Sequence, residues 1–285
     1  MQKILNPRVD PIFKILFTQN TKESKNALQC FVSACIGKSI SDIELQPNEL
    51  TSPQDDFMQS RFDLTCTIDG VEHANIELQG QNLYNNFDDR SEYYVAHLLD
   101  HYIVKGSNKY WDNVPTVYQI NILNFIYDKS CSNGFSHFSM RRKDGSPLLS
   151  QKLNIFYMEL PKYKNDNDII ENIANLTTVE KWSKFFMYAD DISKQEYIKA
   201  LCNTEEGIMD AKVTLGTISQ DEINWKKQTD YFMLSTDHNT MIHSAEKRGI
   251  AEGIRLSAAN MKKDGLPIDK IMQYTGLSED EVNAL

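Results

Sequence analysis

Asp63, Glu77 and Gln79 are the residues of this 285-residue chain whose types and spacing could do chemistry. Around them the sequence has a period of two. Phe62, Leu64, Cys66 and Ile68 alternate with Arg61, Asp63, Thr65 and Thr67, and after Asp69-Gly70 the apolar Ala74, Ile76 and Leu78 alternate with Asn75, Glu77 and Gln79. Side chains two apart in a strand share a face, so the acids and the glutamine fall on the polar side of a β-hairpin. The turn decides whether they meet. A two-residue Asp69-Gly70 loop pairs Ile68 with Val71 and sets Asp63 opposite Ile76. A three-residue loop, or one bulge, sets Asp63 opposite Glu77 and gathers the apolar residues on the other face. A single residue of register flips every side chain, so burial selects the second solution.

Two carboxylates about 5 Å apart across a strand pair repel each other, and Arg61 is the only basic residue in strand register near them. A hard divalent cation relieves that repulsion, because Mg²⁺ is commonly held by one or two carboxylates with waters and phosphates. Composition alone also allows a plainer reading, the solvated face of an antiparallel pair, where Asp and Glu are common.

The elements that must carry these residues can be read on either side. Asp10-Pro11 opens a first helix, with Asp10 suited to cap it and Pro11 to its first position. Apolar residues then recur at Phe13, Leu16, Phe17, Ala27, Leu28, Phe31, Val32 and Cys35, with Gly37 as a stop and a polar break across 18–25. Asp88-Asp89 start a helix that reaches about Val104 and ends at Gly106. Residues 116–126 read as a buried strand, and 135–160 as a hairpin turning at Lys143-Asp144-Gly145-Ser146. Beyond Pro161 a charged stretch over 162–168 gives way to helices at about 178–189, 194–202, 205–215 and 221–263. The fold class is therefore α/β (α+β), with the sheet and its helices in residues 1–160 and an α-helical region in residues 161–285. The tail reads as two short helices about Thr275-Gly276. Ser278 with Glu281 makes a capping box there, and the acids at that helix start disfavour phosphate.

The stretch Arg61-Phe62-Asp63 … Asp69-Gly70 … Asn75-Ile76-Glu77-Leu78-Gln79 resembles the D…ExQ signature of the recombination-promoting nuclease (Rpn) and transposase-like family of the PD-(D/E)XK nuclease superfamily. Asp10-Pro11-Ile12-Phe13-Lys14-Ile15-Leu16-Phe17 is similar to its N-terminal D-x-x-F-K-x-x-F segment. Arg90-Ser91-Glu92-Tyr93-Tyr94 with Lys105-Gly106 … Tyr110 resembles its second helix, and Gly249 … Gly253 … Gly265 … Thr275-Gly276-Leu277-Ser278 its tail. The resemblance implies a restriction-endonuclease-like core, a mixed sheet flanked by helices, and metal-dependent hydrolysis of DNA linked to recombination or mobile elements. It implies a Mg²⁺ ion (or Mn²⁺ or Ca²⁺) held by Asp63, Glu77 and the backbone carbonyl of Leu78. Gln79 stands where many members of the superfamily carry Lys; an amide cannot move a proton at neutral pH, but it can orient water or a phosphate oxygen. Asp10 could complete the metal shell or serve only as a cap. Lys14 could pair with Asp10 or contact phosphate. Arg90 and Tyr94, at i, i+4 spacing, share a face that could contact DNA or simply pack. A relative that has lost cleavage and acts as a DNA-binding or assembly module is the alternative.

Other constellations are weaker. His97 and His101 have helical metal-pair spacing, but Leu98 stands where a zincin has Glu. Cys30 and Cys35 lack zinc spacing and a second ligand pair, and five scattered cysteines suit a reduced, cytoplasmic protein. No signal peptide or membrane span is expected. The 221–263 helix is long enough to pair with a copy of itself, which makes a homodimer through the C-terminal helices an expectation. Net charge is −10, which argues against sequence-blind coating of nucleic acid and predicts weak, metal-dependent, salt-sensitive engagement of DNA.

Overall fold

The computed structural model describes residues 4–47, 49–50, 60–80, 87–103, 114–148, 150–165 and 168–285, with the backbone alone at 49–50, 60–61, 230–245 and 247–248. The expectations on Val104, Lys105, Gly106, Tyr110 and the Arg61 side chain lie outside the described residues.

The first apolar stripe forms two helices, α1 (Asp10–Thr18) and α2 (Lys22–Ile36). Thr21 accepts from the Ser24 N–H to start α2, and Gly37, at φ 73°, ends it. The chain then forms β1 (Ile43–Gln46), a short β2–β3 pair (Glu49–Leu50 and Ser60–Arg61), β4 (Leu64–Ile68), β5 (Glu72–Gln79), α3 (Phe87–Tyr102), β6 (Val117–Leu123), β7 (Phe135–Ser139) and β8 (Leu153–Glu159). Six strands make one mixed sheet in the order β1-β4-β5-β6-β8-β7. β5, β6 and β8 run parallel; β1, β4 and β7 are antiparallel to their neighbours.

The β4–β5 turn takes the bulged form. Asp69 and Gly70 both have positive φ, 48° and 73°, as a tight hairpin turn requires. The Val71 N–H returns to the Ile68 carbonyl at 3.1 Å. Val71 is an extra residue, so Ile68 pairs with Glu72 and Leu64 with Ile76. The Asp69 carboxylate accepts the Ser41 and Asp42 N–H groups at 2.8 and 2.9 Å, tying the turn to β1.

This register gives the sheet two different faces. Leu64, Cys66, Ile68, Ala74, Ile76 and Leu78 join the main core with α1 and α2. On the other face α3 covers the sheet, its Val95 and Leu98 packing with Val117. Phe62 departs from the expected alternation. It packs with Val95, Leu98 and Tyr94 rather than with Leu64; residues 62–63 precede β4 outside the ladder, and the chain bends at Asp63.

The helical region continues with α4 (Thr178–Tyr188), α5 (Gln195–Cys202), α6 (Glu206–Thr217) and α7 (Gln220–Lys263), then α8 (Ile268–Thr275) and α9 (Glu279–Asn283). The chain forms two compact units, residues 1–223 and 224–285. The change of character at residue 160 falls inside the first, since Trp182, Phe185 and Phe186 of α4 share a core with Phe13, Phe17 and Phe31. α2 and α6 touch at Gly207, where an added Cβ would stand 2.2 Å from the Cys30 Cβ. Gly207→Ala is therefore expected to lower stability by about 1–3 kcal/mol through overpacking, measured as the shift in a urea midpoint. In the second unit Ala258, Ile271 and Val282 form a small core of their own, and the Ser278–Glu281 capping box is present. No helix among the described residues is long and apolar enough to cross a membrane.

Candidate metal centre

Asp63 sits in the bend just before β4, outside the ladder, and the backbone joins it to Glu77 of β5. The Asp63 N–H donates to Glu77 Oε1 at 3.1 Å, and the Leu78 N–H donates to Asp63 Oδ2 at 3.1 Å. Each acid's other oxygen holds a cation from a helix. Lys14 Nζ of α1 is 3.1 Å from Asp63 Oδ1 and 3.0 Å from Asp10 Oδ2. Arg90 of α3 donates to Glu77 Oε2 at 3.0 Å, with its guanidinium 5.1 Å from the centre of the Tyr94 ring. The neutralising partners thus come from opposite sides of the sheet, where strand spacing could not reveal them.

Asp10 does not cap α1. It is the first helical residue, Val9 holds the cap position without a side-chain bond, and the Asp10 carboxylate turns to Lys14 instead. Gln79 ends β5 on the face of Glu77, and its carbonyl accepts the Asn124 N–H at 2.9 Å. The structure therefore brings Asp10, Lys14, Asp63, Glu77, Arg90 and Tyr94 into one chain of contacts. His97 stacks on Tyr93, and His101 crosses Tyr102 edge to face.

The polar face is not a solvated one. Glu77 is 2% exposed, and the neighbouring Asn75, Gln119 and Asn121 are buried with it. Sequence reasoning missed these amides. The available signal was Gln119 and Asn121, two polar residues at i, i+2 within the buried strand at 116–126. Asn75 Nδ2 donates to Glu77 Oε1 at 3.2 Å and to Gln119 Oε1 at 2.8 Å.

Burial, followed by the charge on Asp63, pushes the Glu77 carboxyl up to about 8; Arg90, Asn75 and the Asp63 N–H act against the rise. A carboxyl raised in the folded state favours folding most while it is protonated in both states. Its contribution is full below about pH 4.5, the unfolded value, and is lost as pH rises through about 8. In EDTA the melting temperature of the wild type is accordingly expected to fall between pH 5 and 9 more steeply than that of Glu77→Gln. Parallel curves would reject this account of the buried acid.

No group of three or more His, Cys, Asp or Glu that could hold a metal ion is present among the described residues. The donor set is one carboxylate on β5 and one in the bend just before β4, with backbone beside them. Such hard oxygens suit a cation that keeps several waters, and a carboxyl whose proton affinity is raised by burial and by a neighbouring carboxylate is one that a cation would hold in its ionised form.

No curated protein and no solved structure matches the chain. A family model does, over residues 7–245, which takes in the sheet, both acids, the basic residues beside them and helices α4–α6. With this mixed sheet and its opposed acids, the match establishes that the chain belongs to the PD-(D/E)XK nuclease family transposases.

Proposed function

We propose that the protein is a divalent-metal-dependent DNA endonuclease that serves recombination or the movement of mobile elements. The observation that carries the reading is the closeness of Asp63, just before β4, to Glu77 of β5, with backbone N–H groups fixing one oxygen of each. Asp63, Glu77 and the Leu78 carbonyl would hold Mg²⁺, Mn²⁺ or Ca²⁺, with Asp10 close by through Lys14. Once bound, the ion supplies a more acidic water and neutralises charge on the phosphate.

The chain's own residues would do the rest. Gln79, on the face of Glu77, can hold the attacking water or a phosphate oxygen through its amide without taking a proton. Lys14, between Asp10 and Asp63, offers an ammonium to the phosphate beside the acids. Arg90 steadies Glu77 and, over Tyr94, presents a cation on the α3 side to the DNA backbone. The reading also places the protein in the cytoplasm and allows a homodimer through α7–α9, which a monomeric mass by light scattering would remove.

One observation favours a second reading, a non-cleaving DNA-binding or assembly module: Lys14 and Arg90 already neutralise both acids without a metal. Supercoiled plasmid with Mg²⁺, Mn²⁺ or Ca²⁺ separates the two. Nicking by the wild type that is abolished by EDTA and by Asp63→Ala supports the nuclease. Equal nicking by Asp63→Ala rejects the site, and inactivity with every cation together with no metal uptake supports the module.

A further inference from the structure

Three buried carboxamides form a row under α3, and each has only one workable orientation. The row ends at the Phe156 backbone carbonyl, which can only accept. Asn121 Nδ2 donates to it at 3.4 Å, which turns Asn121 Oδ1 toward Gln119. Gln119 Nε2 donates to that oxygen at 2.9 Å, which turns Gln119 Oε1 toward Asn75. Asn75 Nδ2 donates to Gln119 Oε1 at 2.8 Å, and its remaining N–H then points at Glu77 Oε1, 3.2 Å away. Turning Asn75 over would set its oxygen against two acceptors, Gln119 Oε1 and Glu77 Oε1. The adopted orientation leaves Asn75 Oδ1 buried with no hydrogen bond, a costly state for an acceptor. The row, not the local surroundings of Asn75, decides which way its amide points.

We infer that Asn75 is a positioning residue for Glu77, held in its working orientation by Gln119 and Asn121 from the Phe156 carbonyl. With the Asp63 N–H, Asn75 fixes Oε1 and leaves Oε2, now on Arg90, as the oxygen free to change partners. An amide beyond the ligands thereby sets which face of the carboxylate meets an incoming cation, as partners behind metal ligands do elsewhere. The inference deepens the metal-centre reading of Asp63 and Glu77 and rests on it.

The test is calorimetric titration of Mn²⁺ into the full-length protein as wild type, Glu77→Gln, Gln119→Met, Asn75→Leu and the Gln119→Met/Asn75→Leu double variant. Gln119 reaches Glu77 through Asn75, so Gln119→Met is expected to weaken Mn²⁺ binding about tenfold. Asn75→Leu should weaken it at least as much, and the double variant no further than Asn75→Leu, since both remove one linkage. Unchanged affinity in Gln119→Met, or fully additive losses, overturns the inference. A wild type that takes up no Mn²⁺ defeats the metal reading itself. The row is then judged in metal-free, ¹⁵N-labelled protein by the Asn75 side-chain NH₂ signals. Slow exchange in the wild type that is lost in Gln119→Met upholds it, and fast exchange in the wild type overturns it. If Gln119→Met does not fold, the wild-type exchange rate alone decides on the same terms.

Discussion

Glu77→Gln is expected to reduce metal-dependent nicking about 10³-fold, roughly 4 kcal/mol of lost charge stabilisation, without lowering the melting temperature of the metal-free protein at pH 8. The two effects separate because the amide keeps the shape of the acid but not its charge. Its oxygen can still accept from the Asp63 N–H and from Asn75, the donors that hold Oε1. What disappears is a carboxylate that burial and Asp63 make costly to ionise. Arg90 loses its partner, but its side chain is 44% exposed and stays solvated. An exposed cation left alone loses little, whereas a buried acid left without one loses much. Plasmid nicking and thermal melts on the same preparations check both halves. Nicking close to wild type would remove Glu77 from the chemistry; a lower melting temperature would show that the acid is held for stability instead.

The strand register that brings Asp63 near Glu77 was legible because burial permits only one register at Asp69-Gly70. Seven apolar residues across 62–78 had to share a face, and only a bulged turn allows that for six of them. Phe62 is the exception because it lies outside the ladder, with the chain bent at Asp63. It packs against α3, a contact that no alternation rule contains. Lys14 was legible as a partner of Asp10, one turn away, but not of Asp63, and Arg90 was not legible as a partner of Glu77. Lys14 and Arg90 stand 49 and 13 positions from the acids they meet, and only the layering of α1 and α3 on opposite faces of the sheet brings them in. Asn75 was hidden for a different reason: a polar residue on a half-polar strand reads as solvent-facing until something covers it. α3 covers it. Gln119 and Asn121 lie in a stretch whose apolar, β-branched neighbours dominate the reading. The composition shift near residue 160 was real, but composition does not report which side chains share a core.

That shared core carries the second large effect. Trp182→Ala is expected to destabilise residues 1–223 by about 3–5 kcal/mol, lowering the melting temperature by on the order of 10 °C, and a fragment ending at residue 160 is expected to show no cooperative unfolding. Trp182 is fully buried. Its ring lies 5.3 Å from that of Phe31 and 6.5 Å from that of Phe17, while Phe186 beside it reaches Phe13 and Phe31 at 6.2 and 5.5 Å. Removing α4 would take from Phe13, Phe17 and Phe31 the rings of Trp182 and Phe186 that they pack against. The effect would not stop at stability. Phe13 and Phe17 flank Lys14 on α1, so the packing that seats these rings against α4 also aims the Lys14 ammonium at Asp63. Urea unfolding of Trp182→Ala and of the 1–160 fragment, followed by far-UV circular dichroism, checks the expectation. A sharp transition in the fragment would make α4–α6 dispensable. Its absence would mean that the helices after the sheet hold the first helix, and with it Lys14, in place beside the acids.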